Sequence, residues 1–137
     1  MKELPIKFNY KELMSKSSEN LVTCTIISHL GTYLTADASG AVSHEEEKSK
    51  GSIWRIEYKG NDCYRIINAA HETYLRSNFL NIIDTSVKAD NNTTWTIRKK
   101  DNDYCLIRSH DNRYLRASPN KKLGTTKDVS ESEYFLL

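Results

Sequence analysis

A chain of 137 residues with 38% hydrophobic side chains has the length of one domain and enough apolar material for a modest core. Twenty Lys and Arg against eighteen Asp and Glu leave a formal charge of +2, which excludes the uniform positive field of a dedicated nucleic-acid binder. The three cysteines, Cys24, Cys63 and Cys105, are odd in number and widely spaced, which excludes a disulfide framework or a paired-cysteine metal knuckle and points to reduced thiols in the cytoplasm or nucleus.

Residues 1–21 carry Leu4, Ile6, Phe8 and Tyr10 in alternation with polar residues, then Leu13 and Met14. They lack the continuous apolar run of a secretory signal or a spanning helix. This segment is expected to pack on the following domain through Phe8 and its neighbours, or to serve as a partner-binding arm.

Residues 22–137 read as one domain made of three units, 22–62, 63–102 and 103–137. Each is keyed to a Tyr-Leu pair: Tyr33-Leu34, Tyr74-Leu75 and Tyr114-Leu115. Twenty-one residues after each tyrosine stands a large aromatic, Trp54, Trp95 or Phe135, and two residues later an aliphatic, Ile56, Ile97 or Leu137. A spacing of two puts both side chains on one face of a strand. Val42, Ile83 and Leu123 fall nine residues after the tyrosines, and Ile26, Ile67 and Ile107 seven before. Each unit therefore predicts four short strands separated by turn residues such as Gly31, Asp37 to Gly40, Gly60-Asn61, Asp101-Asn102 and Pro119-Asn120. Twelve strands in three equal sets leave costly open edges unless they close. The expected fold is an all-β β-trefoil: three four-stranded repeats of about forty residues around a pseudo-threefold axis, with the three aromatics buried near it.

The run Ser28-His29-Leu30-Gly31-Thr32-Tyr33-Leu34-Thr35-Ala36-Asp37-Ala38-Ser39-Gly40-Ala41-Val42 resembles the repeat motif of fascin domains. Ser109-His110-Asp111-Asn112-Arg113-Tyr114-Leu115-Arg116-Ala117 is similar. The single-domain plan over 22–137 resembles the fascin- and hisactophilin-like family of actin-crosslinking trefoils. The resemblance implies a cytoskeletal role with actin filaments as partner.

The residues themselves single out no nucleophile with a base and an orienting group, and no paired carboxylates in an apolar setting, so an enzyme is not expected and no cofactor is implied. His29, His71 and His110 occupy corresponding turns. They lack local ligand spacing, and hydrogen bonding within the turns is their expected role. Cys24 and Cys105 stand nine residues before their tyrosines, where inert buried thiols are expected. Arg65 holds that position in the second unit, as though at a barrel rim. The strands around Tyr64 to Ile67 and Tyr104 to Ile107 are apolar on both faces, so one face calls for a cover such as the N-terminal segment.

Charge is uneven along the chain: four basic against six acidic residues in 22–62, six against four in 63–102, and six against five in 103–137. The basic residues gather at Arg98-Lys99-Lys100 after Trp95, and at Arg113, Arg116, Lys121 and Lys122 around the third Tyr-Leu pair. These seven are the expected contact for an acidic partner. An actin surface suits them, as do an anionic lipid, a glycan, RNA, or a protein complex in which the domain is an adaptor. The acidic run Glu45-Glu46-Glu47, flanked by Lys48 and Lys50, reads as a solvated loop.

Overall fold

The computed structural model describes residues 21–78, 80–100 and 104–137. The docking expected of Phe8 and its neighbours lies outside the described residues, as does the turn at Asp101-Asn102. The described chain is all-β, with strands Leu21–Cys24 (β1), Ile27–Ser28 (β2), Tyr33–Ala36 (β3), Val42–Glu45 (β4), Trp54–Gly60 (β5), Cys63–Asn68 (β6), Thr73–Ser77 (β7), Ile83–Ser86 (β8), Trp95–Lys99 (β9), Cys105–Ser109 (β10), Tyr114–Ser118 (β11), Lys122–Thr126 (β12) and Phe135–Leu136 (β13). Single 3-10 turns at Lys50–Ser52, Asn91–Thr93 and Glu131–Glu133 precede β5, β9 and β13.

All thirteen strands belong to one antiparallel sheet. Its main path runs β1-β5-β6-β9-β10-β13-β2-β3-β4, with the hairpin β7-β8 attached to β6 and β11-β12 attached to β10. The path leaves from β1 and returns on β2, and only Thr25 and Ile26 separate those two strands in the chain. Alternation decides which side chains face inward: Trp54 and Ile56, Trp95 and Ile97, and Phe135 and Leu137 are all buried, as are Leu34, Leu75 and Leu115 of the Tyr-Leu pairs.

The backbone repeats with the sequence. Two residues before each tyrosine the chain turns left-handed, at Gly31 (φ 80), Glu72 (φ 55) and Asn112 (φ 62). Seven residues after it the same happens at Gly40 (φ 96), Asn81 (φ 61) and Lys121 (φ 65). Glu72 adopts a conformation that costs a non-glycine residue about 1 kcal/mol. Its carboxylate is held by the Arg55 guanidinium, Nη2 to Oε1 2.6 Å and Nη1 to Oε2 3.0 Å. Each 3-10 turn is also closed alike: Ser49 N donates to Ser52 Oγ (2.7 Å), Asp90 N to Thr93 Oγ1 (2.9 Å), and Ser130 N to Glu133 Oε1. In the first unit that turn presses against β3, since a Cβ on Gly51 would lie 2.3 Å from the Ala36 carbonyl oxygen.

Beyond the turns, each indole ties its own unit together. Trp54 Nε1 donates to the Leu34 carbonyl (3.0 Å) and Trp95 Nε1 to that of Leu75 (2.9 Å). Strands β4, β8 and β12 contact one another. His44 N donates to Lys121 O (3.1 Å), Thr85 N donates to Gly40 O (2.9 Å), and Ala41 bridges Asp84.

Two expectations need correction. The turn between β6 and β7 holds one residue more than its counterparts: Asn68 precedes its tyrosine by six residues, whereas Ser28 and Ser109 precede theirs by five. The inward register of β6 is shifted accordingly. Ile66, fully buried, is the counterpart of Ile26 and Ile107, and Tyr64 rather than Arg65 is the counterpart of Cys24 and Cys105. Arg65 thus lies on the outer side of β6, half-buried and opposite Glu57. In β10, burial alternates, with Cys105, Ile107 and Ser109 buried and Leu106 half-covered.

Truncating Trp54 or Trp95 to Ala is expected to cost about 3–5 kcal/mol in chemical denaturation, from lost burial and an abandoned carbonyl. Ser77 is fully buried with no hydrogen-bond partner for Oγ among the described residues, where the other units hold Ala36 and Ala117. Ser77→Ala is expected to add roughly 1 kcal/mol, about 3 °C in Tm.

Candidate binding surface

Strand β9 keeps Trp95 and Ile97 inside and then exposes Arg98, Lys99 and Lys100. Arg98 lies opposite Leu106 and Lys99 opposite Cys105, and Lys100 N donates to the Tyr104 carbonyl (2.5 Å). Arg98 and Lys99 therefore ride on a paired strand, and Lys100 follows directly after it. None of them has an ion-pair partner among the described residues.

The third-unit cations behave differently. Arg113 is half-buried and turned onto β12, donating from Nε to Thr125 Oγ1 (2.9 Å) and from Nη2 to Thr125 O (3.2 Å). Arg116 is 46% exposed and faces Glu133, Nε to Oε2 3.7 Å, a carboxylate that is only 1% exposed. Lys121 reaches Glu45 at 3.1 Å. The Glu45 carboxyl is held below the usual range by its hydrogen bond from Ser43 and then by Lys121. Lys122 is exposed and has no ion-pair partner among the described residues. Of the seven basic residues grouped by sequence, Arg113, Arg116 and Lys121 thus serve internal contacts. Arg98, Lys99, Lys100 and Lys122 remain available to a partner. Arg98 and Lys99 lie on β9 and Lys100 directly after it, whereas Lys122 begins β12, and no strand pairing joins those two elements.

Two buried ionisable residues, Glu133 and His44, escaped the sequence reading as buried groups. Glu133 occupies the place of Ser52 and Thr93, and the spacing of Ser49 to Ser52, Asp90 to Thr93 and Ser130 to Glu133 is the signal that could have found it. His44 is 3% exposed. Its Nε2 donates to the Ser118 carbonyl (2.6 Å), and its Nδ1 lies 2.8 Å from Thr32 Oγ1, which in turn contacts Ser28 Oγ at 2.5 Å. The carbonyl can only accept, so Nε2 carries a proton. This chain of contacts stitches the first unit to the third. Its signal was positional, since His44 stands eleven residues after its tyrosine, where Thr85 and Thr125 stand in the other units.

Burial pushes the Cys24 thiol up to about 12, with a further contribution from Cys105. Tyr64 is pushed upward by burial, then by Tyr58, Asp62 and Cys105. Tyr64 and Cys105 belong to the one buried core cluster, and Cys24, their counterpart in the first unit, packs against it. His110 pairs with Asp111 (3.0 Å). No group of three His, Cys, Asp or Glu among the described residues could hold a metal ion. Glu45, Glu46, Glu47, Ser49 and Lys121 line a shallow surface groove. Among the described residues no helix is long and apolar enough to cross a membrane.

Compared with models of known protein families and with curated proteins, the chain matches none.

The division of the basic residues is testable by thermal melting of single alanine variants. Arg98→Ala, Lys99→Ala and Lys122→Ala should each stay within about 0.5 kcal/mol of wild type. Arg113→Ala should cost about 1 kcal/mol or more, because it strands the Thr125 groups. Arg116→Ala should also be destabilising, because Glu133 stays buried without its cation.

Proposed function

We propose that the sheet closes as a β-trefoil and that the chain is a non-enzymatic intracellular binding module whose partner is an acidic protein surface, with actin filaments first. Several observations support the trefoil: the sheet path that returns beside its own start, the left-handed residues recurring at two fixed offsets from each tyrosine, and the hydrogen bonds joining β4 to the β11-β12 hairpin and β8 to the β3-β4 hairpin. The packing of Cys24 against the core cluster that holds Tyr64 and Cys105 fits three strands converging on one axis.

One observation carries the functional reading: three consecutive cations, Arg98, Lys99 and Lys100, are exposed at the end of β9, the first two on a backbone paired with β10 and the third held by its amide bond to the Tyr104 carbonyl. Exposed charges contribute little to folding, yet a cluster of them accelerates encounter with an acidic surface and selects its orientation. The resemblance of the Gly-Thr-Tyr-Leu and Asn-Arg-Tyr-Leu turns to fascin repeats directs the choice toward actin. A single such surface decorates a filament without bundling it.

Co-sedimentation with actin filaments tests this. The R98E/K99E/K100E variant should bind at least tenfold more weakly than wild type at low salt, with an unchanged Tm, and wild-type binding should fall as salt rises. Wild type should pellet with filaments at high centrifugal force and leave them unbundled at low force. Retention on anionic vesicles or RNA, with no actin binding even at low salt, would overturn the choice of partner.

A further inference from the structure

The second and third units each carry an arginine two residues after the tyrosine, Arg76 and Arg116, and only the first of these has a carboxylate facing it. Arg76 lies opposite Asp84 of β8 and grips it, Nε to Oδ1 and Nη2 to Oδ2, both 2.8 Å. Arg116 lies opposite Gly124 of β12, which has no side chain to grip.

Glycine inside a strand weakens it, and is found there for a bulge, a left-handed backbone or a close approach. Within the chain Gly124 serves none of these. The pairing of β11 with β12 runs unbroken from Tyr114 opposite Thr126 to Ser118 opposite Lys122, so there is no bulge. Gly31, Gly40 and Gly60 have positive φ, whereas Gly124 does not. A Cβ on Gly124 would meet nothing within 4 Å among the described residues, whereas one on Gly51 would lie 2.3 Å from a carbonyl oxygen. The close approach that remains is that of a group from outside the chain.

Two cations border the notch over Gly124. Residues opposite each other, or two apart on one strand, share a face, so Arg116, Gly124 and Lys122 lie on the same side of the hairpin. Lys122 is exposed and has no ion-pair partner among the described residues. The internal contact of Arg116 is loose: the side chain is 46% exposed, and Nε lies 3.7 Å from Glu133 Oε2, too far for a hydrogen bond. Its guanidinium donors are therefore open to a ligand. Arg113 and Lys121 are engaged elsewhere, by Thr125 and Glu45. Arg116 and Lys122 against Glu133 leave one positive charge in excess, which a single carboxylate neutralises and a phosphate dianion exceeds.

We propose that Arg116, Gly124 and Lys122 form a receptor for one carboxylate side chain, Asp or Glu, of a partner protein. The carboxylate enters over Gly124 and accepts hydrogen bonds from the Arg116 guanidinium, the pairing that Arg76 and Asp84 make within the chain, while Lys122 adds charge. The class of partner rests on the acidic-protein reading above, but no residue of β9 takes part.

The test is an NMR titration of the isotope-labelled full chain, and of its R98E/K99E/K100E variant, with a blocked peptide of alternating alanine and glutamate. Saturable shifts of the Gly124 amide and the Arg116 Nε–H are expected in both proteins, and none with the matching glutamine peptide. Gly124→Asp gives the third unit the carboxylate that Asp84 supplies to the second. It should hold or raise Tm and weaken the response about fivefold or more, because its own carboxylate occupies Arg116. Lys122→Gln, at an exposed position, should keep Tm and weaken the response about twofold. Equal shifts with the glutamine peptide, wild-type responses from both variants, inorganic phosphate binding the notch more tightly than the peptide, or a dimer in sedimentation that Gly124→Asp disperses would each overturn the proposal. Shifts confined to Arg98, Lys99 and Lys100 would overturn the notch and leave the β9 surface standing. Notch shifts in R98E/K99E/K100E, with no actin in the pellet for wild type, would support the notch and overturn the choice of actin.

Discussion

A hydrogen bond from a buried indole to the carbonyl of a leucine twenty residues earlier organises this molecule. Trp54 reaches Leu34 and Trp95 reaches Leu75. Each bond pins the closing strand of a unit across its Tyr-Leu strand while burying the largest side chain available. The 3-10 turn just before each aromatic sets the approach, and the small or polar residues in that turn follow from it. In the first unit Gly51 permits contact with the Ala36 carbonyl. Phe135 has no N–H to donate. The third unit instead ties its approach turn to its Tyr-Leu strand through Glu133 and Arg116.

On this repeated frame the surface is free to differ from unit to unit. The first unit presents Glu45, Glu46 and Glu47, the second the exposed Leu80 and Ile82 and the basic end of β9, and the third commits Arg113, Arg116 and Lys121 to contacts within the chain. The proposed binding roles rest on those differences. What the units share explains the packing, whereas what one unit alone carries at an exposed position has no packing reason and is where a partner can act.

Much of the frame was legible in the sequence, because buried aromatic and aliphatic positions at fixed offsets from Tyr-Leu report directly on strand alternation. The offsets failed at β6, where a turn longer by one residue moved Ile66 into the place assigned to Ile67 and Tyr64 into that assigned to Arg65. A count from the tyrosine cannot see an insertion that lies between it and the strand. The basic surface was legible in outline only. Composition finds Arg113, Arg116 and Lys121, but whether a cation faces solvent or a carboxylate such as Glu45 or Glu133 depends on contacts between segments far apart in the chain. His44 was hidden for the same reason, since its partners Thr32 and Ser118 belong to the first and third units.

The dependence of the fold on the indole bonds can be read directly from hydrogen exchange of the Trp54 and Trp95 Nε1 protons by NMR. If both indoles are buried and bonded as described, they exchange only through global unfolding, at the same free energy as the most protected backbone amides of β5, β6, β9 and β10. Exchange of either indole several orders of magnitude faster than those amides would contradict the account.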